Sequence, residues 1–71
     1  MTEYKSLDQL QIKGRGIVYI VEYKGETIYK SKGNSLIGSK VKIDTDEFTI
    51  KGVESYAIET ISDGQKIGLL V

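Results

Sequence analysis

The sequence predicts an all-β fold, a barrel or sandwich of about six short strands, and three observations point to it. Apolar residues recur at every second position in Val41-Lys42-Ile43 and Phe48-Thr49-Ile50-Lys51, the period of a strand with one buried face. Glycines open or interrupt such runs in Gly14-Arg15-Gly16-Ile17-Val18, Gly52-Val53-Glu54-Ser55-Tyr56 and Gly64-Gln65-Lys66-Ile67-Gly68-Leu69-Leu70-Val71. A glycine lets a backbone turn sharply or approach a neighbour closely, and the β-branched and aromatic residues beside it fit a pleated surface. No window holds an unbroken three-four spacing of apolar residues. Residues 55–61 come nearest to a helix, and their β-branched content favours a strand.

Taken in order, Leu7, Leu10 and Ile12 mark a first strand entered through a turn at residues 6–8. Residues 17–23 form the strongest strand, apolar on both faces up to Glu22 and therefore central in its sheet. Lys24-Gly25 separates it from Thr27-Ile28-Tyr29-Lys30, the arrangement of a hairpin whose turn needs a residue at positive φ. Residues 31–35, with Gly33-Asn34 inside, read as a loop. Val41 and Ile43 face inward with Lys42 outward, and Asp44-Thr45-Asp46 is the turn after them. Phe48 and Ile50 share a face opposite Thr49 and Lys51; the alternation runs through Val53 and, past the irregularity at Gly52, resumes at Tyr56 and Ile58. Asp63-Gly64 supplies a tight turn into the last strand, where Ile67, Leu69 and Val71 alternate with Gly68 and Leu70.

A chain of 71 residues makes one domain, residues 1–71, and buries only about 60% of its unfolded surface. With neither cysteine nor histidine it has no disulfide and no structural zinc site, so packing of Ile, Val, Leu and Tyr must stabilise it, helped by self-assembly through sheet edges. Ten basic and ten acidic residues cancel, and a pI of about 6.2 argues against gripping nucleic acid through a bulk positive field. The first residues carry charges and lack a signal peptide's apolar stretch. The longest apolar run, residues 17–21, is far too short to span a bilayer. The expectation is a soluble cytoplasmic protein with no membrane partner.

The missing histidine and cysteine remove Ser-His-Asp and Cys-His nucleophiles, imidazole bases and most transition-metal sites. We expect no enzyme and no catalytic residue. Asp44-Thr45-Asp46-Glu47 starts like a calcium loop, but Thr49 stands where the sharp-turn glycine is required and Ser55 where the closing glutamate is. No metal is expected. Gly14-Arg15-Gly16 lacks the third glycine of a dinucleotide fingerprint and leads into a strand, and Lys32-Gly33-Asn34-Ser35 lacks P-loop spacing. No cofactor is expected either. Five tyrosines and Lys24, Lys30, Lys32, Lys40, Lys42 and Lys51 offer base stacking and phosphate contacts if one face gathers them; the alternative is a plain mixed-charge surface. Tyr19 and Tyr56 belong on apolar faces, and Tyr4, Tyr23 and Tyr29 are the candidates for exposure.

Four segments, in order, resemble domain 2 of elongation factor Tu and related translational GTPases. Leu7-Asp8-Gln9-Leu10-Gln11-Ile12-Lys13-Gly14-Arg15-Gly16-Ile17-Val18 is similar to the family's extended segment ending in Gly-Arg-Gly-Thr-Val-Val. Leu36-Ile37-Gly38-Ser39-Lys40-Val41-Lys42-Ile43 resembles its Val-Gly-Asp-Glu-Val-Glu-Ile step. Ile50-Lys51-Gly52-Val53-Glu54-Ser55-Tyr56 resembles Thr-Gly-Val-Glu-Met-Phe, and Asp63-Gly64-Gln65-Lys66-Ile67-Gly68-Leu69-Leu70 the closing Gly-Asp-Asn-Val-Gly-Leu-Leu strand. The resemblance implies a six-stranded Greek-key barrel of the translation-factor domain 2 type. It implies no GTPase activity, because the nucleotide-binding domain that precedes this barrel in the family has no counterpart in these residues.

In the tRNA-delivering factor this domain helps hold the aminoacylated 3′ end, and the glutamate of Gly-Val-Glu lines the pocket for the terminal adenosine. Glu54 matches that glutamate and Arg15 the arginine of Gly-Arg-Gly. Lys66 replaces the asparagine of the closing motif, and Ile20-Val21 a Thr-Gly. The resemblance thus points to Arg15, Glu54, Lys66 and the neighbouring Tyr29 as contacts for an RNA or protein partner, the translation machinery included. The alternative for Glu54 is a polar residue at a strand irregularity, and for Arg15 a rim residue that caps a turn. Two roles stay open: a stand-alone binding module for RNA, a tRNA end, the ribosome or a translation factor, and a small accessory or structural protein, such as phages and mobile elements encode, whose barrel is a scaffold for another protein.

Overall fold

A computed structural model describes residues 2–29, 36–54 and 60–71. Among them are nine strand segments, β1 Thr2–Tyr4, β2 Asp8–Ile12, β3 Gly16–Glu22, β4 Ile28–Tyr29, β5 Lys40–Ile43, β6 Asp46–Thr49, β7 Gly52–Glu54, β8 Thr60–Ile61 and β9 Lys66–Leu70. The protein is all-β: no helix occurs among the described residues, and none is long and apolar enough to cross a membrane. Strand β3, with apolar residues on both faces, lies inside an antiparallel four-stranded sheet ordered β2-β3-β9-β7, as its pattern predicts. A three-stranded sheet, β1-β5-β6, pairs β1 parallel and β6 antiparallel to β5, and β4 pairs with β8. The expected loop at residues 31–35, Lys30, Lys32, Tyr56 and Ile58 lie outside the described residues.

There are more segments than the expected six: β1 is not among the expected strands, and the alternation through Val53 is divided between β6 and β7; the chain changes sheets there and again between β1 and β2. The carbonyl of Tyr4 accepts from the Asp44 amide at 2.8 Å on the β5 side, while the Leu7 amide donates to Ile20 on β3 at 2.7 Å. Likewise Ile50 donates to Ser39 at 2.9 Å and accepts from Gly38 at 2.7 Å, whereas the next amide, Lys51, donates to Leu70 at 2.7 Å. A pleated, right-twisted strand cannot follow one partner far around a body whose extents are 26 × 25 × 20 Å, so each stretch bends and takes a second partner.

The core gathers Val41 and Ile43 from β5, Val21 from β3, Ile67 and Leu69 from β9, with Ile50 and Ile61. The inward positions of Val41, Ile43 and Ile50 are those the alternation predicts, with Phe48 half-buried beside them. Two of the tyrosines expected at the surface belong to this core: Tyr4 is 5% exposed and Tyr23 4%. Pairing of β1 with β5 carries the Tyr4 ring inward. The Tyr23 hydroxyl donates to the Glu26 carbonyl at 2.6 Å, which satisfies its polar tip and lets the ring be buried. Burial pushes both phenols above the ordinary tyrosine value, and the carboxylates of Glu26 and Asp63 add to this at Tyr23. Tyr19 is half-buried against Phe48, ring centroids 5.4 Å apart, and Tyr29 is exposed, both as expected.

The expected hairpin between β3 and the strand after Gly25 is not formed. Gly25 does adopt positive φ, at 129°, but its amide donates to the Asp63 carboxylate at 3.0 Å and the chain swings onto β8, with Ile28 opposite Ile61. The edge of β3 is already occupied there: the Tyr23 amide donates to Gln65 at 2.7 Å and its carbonyl accepts from Gly64 at 2.8 Å.

The turn between β5 and β6 is also the anchor of the first bend. Asp44, at φ 57°, accepts from the Ser6 amide at 3.0 Å and from the Ser6 hydroxyl at 2.7 Å. These bonds, the hydroxyl's first, hold the Asp44 carboxyl below the usual aspartate value. A depressed native pKa means that the contribution is complete above the unfolded value of about 3.9 and disappears as pH falls through the native one. Asp44→Ala is expected to weaken the protein at neutral pH and to flatten the acid limb of its stability curve. Urea melts of both proteins from pH 7 down to pH 2 check this; parallel acid limbs would show that the Ser6 contacts contribute nothing.

Candidate functional site

The four-stranded sheet has two apolar faces, and only one meets the core. Val21, Ile67 and Leu69 point into the protein; the alternate positions Leu10 and Ile12 on β2, Val18 and Ile20 on β3, and Lys66, Gly68 and Leu70 on β9 share the other face. Cross-strand register aligns Leu10 with Val18, Ile20 with Gly68, and Gly68 with Glu54 of β7. Leu10, Ile12, Val18, Ile20, Glu54, Lys66, Ile67 and Gly68 line an open groove of about 540 Å³, within the size range of ligand pockets.

Gly68 is the floor of this groove. A Cβ at that position would lie 2.8 Å from Val18 Cγ1, 3.4 Å from Glu54 Cβ and 3.5 Å from Ile20 Cδ1, closer to Val18 than real side chains stand. The hollow exists because a central strand carries no side chain where its neighbours converge. Its wall is aliphatic. Its polar lining is Glu54 and Lys66, both exposed, and neither side chain forms an ion pair or hydrogen bond with a described residue.

Of the four residues singled out in the sequence, the structure thus unites Glu54 and Lys66. Arg15 sits elsewhere, in the turn between β2 and β3, where its amide donates to the Ile12 carbonyl at 3.0 Å. Gly14, the third residue of that turn, has φ 79°, which a type II turn demands at this place. Arg15 precedes Gly16 at one end of β3, while Lys66 pairs with Glu22 at the other, about 20 Å along the strand at ~3.3 Å per residue. Tyr29 lies on β4, in the β4-β8 pair, outside the groove. Among the lysines, Lys42 reaches Glu3 across the β1-β5 pair at 3.8 Å, an exposed contact of little energetic weight.

Sequence reading missed the groove's aliphatic wall and its floor. The signal was there in residues 17–21, apolar on both faces, but a central strand explains that pattern without any site. The arrangement can receive a flat or branched apolar group through burial against Leu10, Ile12, Val18 and Ile20, with Glu54 to accept hydrogen bonds and Lys66 to donate them or to meet an anion. Compared with known proteins, the chain matches no family model, no curated protein and no solved structure.

Proposed function

We propose that the chain is a non-catalytic binding module on a closed six-stranded Greek-key barrel of the translation-factor domain 2 type, and that it meets RNA, a tRNA end or a translation-related protein through the groove over Gly68. The observation that carries this reading is the position of Glu54: the residue matching the glutamate of the Gly-Val-Glu motif stands on the rim of an apolar groove, with Lys66 beside it. The closed barrel is supported by the two stretches that change sheets: one passes from Ser39 to Leu70 at the consecutive amides of Ile50 and Lys51, and the other leaves β5 at Tyr4 and bonds to β3 at Leu7. A base laid on the aliphatic wall would be held by burial, its polar edge directed to Glu54 and a phosphate to Lys66.

The test is titration of the purified protein into tRNA labelled at its 3′ end, at low salt, beside sedimentation with ribosomes. Binding that weakens about tenfold in Glu54→Gln or Lys66→Ala is expected, a loss of the size of one charge-assisted hydrogen bond. If the protein binds neither tRNA nor ribosomes, the reading falls. Leu7 and Leu10, 52% and 51% exposed beside the sheet edge, together with the balanced charge, favour a second reading, a scaffold for a non-ribosomal protein. Purification from native cells with and without nuclease separates the two, since only an RNA-mediated partner is lost on digestion.

A further inference from the structure

We infer that a second copy of this chain covers the outward face of the β2-β3-β9-β7 sheet, in a face-to-face dimer with twofold symmetry. The face carries Leu10, half exposed, and Ile12, Ile20 and Leu70, partly exposed, around the already buried Val18, and its flanking β2 is exposed along most of its length. Such a surface on so small a protein is one that association covers. A twofold interface must be complementary to itself, and the charges meet that condition. About Gly68, Glu54 lies directly across on β7 and Lys66 two residues along β9, so the two directions meet at roughly a right angle and the bisector between them exchanges the two positions. A twofold axis lying in the interface over Gly68 places the Glu54 of each protomer against the Lys66 of its partner, twice per dimer. Zero net charge at pH 7 leaves no overall repulsion between copies.

The dimer does not depend on the RNA reading. Both use one face, so a partner would compete with the second copy, but the oligomeric state is measured with the purified protein alone. Sedimentation equilibrium of the full chain from micromolar to millimolar concentration is expected to show a monomer-dimer equilibrium. Glu54→Lys and Lys66→Glu should each weaken self-association about tenfold or more by placing like charges together. An equimolar mixture of the two should dimerise again: the first variant presents two positive charges and the second two negative ones, so both contacts across the mixed interface pair opposite signs. Leu10→Ser, at an exposed position whose change leaves the fold intact, should also weaken the dimer. A protein that stays monomeric throughout overturns the inference, and so does a dimer that ignores the charge reversals or is not restored by mixing them. Circular dichroism of each variant shows that the loss is not unfolding.

Discussion

Leu69→Ala lowers the free energy of unfolding by about 2–5 kcal/mol, the range for a buried leucine truncated where the surroundings collapse only in part. Leu69 is wholly inaccessible and sits on β9, which pairs with both β3 and β7. A domain of this length has roughly 4–10 kcal/mol in total, so the variant should be partly unfolded at 37 °C. Urea melts followed by circular dichroism measure the shift. A midpoint unchanged from the parent protein would mean that the β9 contacts are not the centre of the core.

One residue earlier, Gly68→Ala is expected to destabilise by about 1–3 kcal/mol, the scale for overpacking a close contact. The sign is not obvious, because alanine is usually better than glycine in a strand. The distance decides it: the new methyl falls 2.8 Å from Val18 Cγ1, and Val18 is 3% exposed with a β-branched side chain that cannot rotate aside. Val18→Ala added to Gly68→Ala should recover part of the loss, giving a coupling energy between two sites in contact. Gly68→Ala also fills the groove floor, so binding should weaken in the fraction that stays folded. Additive effects of the two substitutions would show that the contact is not tight.

The strand pattern was legible because alternation is a local property. Val41, Ile43 and Ile50 could be placed inward from their spacing alone, and Asp63-Gly64 could be recognised as a turn from residue type. Partnership was less legible: nothing near Ile28 says that it will pair with Ile61, and the hairpin expected from Lys24-Gly25 failed because a distant carboxylate, Asp63, holds the turn. Tyr4 and Tyr23 were misplaced for the same reason. An amphipathic ring between charged neighbours looks exposed until a remote strand covers it. Among the candidate site residues, Glu54 and Lys66 could be named from motifs, but their meeting depends on register between β7 and β9, and Gly68 looked like punctuation until its neighbours were in place.

The pairing of β1 with β5 sets the order in which the chain can assemble. Thr2 and Val41 are about 40 residues apart in sequence, whereas β2 with β3 and β5 with β6 close over turns of a few residues. Local hairpins form early and distant contacts late, since the entropy of a long loop must be lost before the contact rewards it. During synthesis β1 therefore leaves the ribosome ahead of its partner and has no strand to join until β5 emerges. Until then Tyr4 is a solvent-exposed ring, and the bend it anchors does not exist.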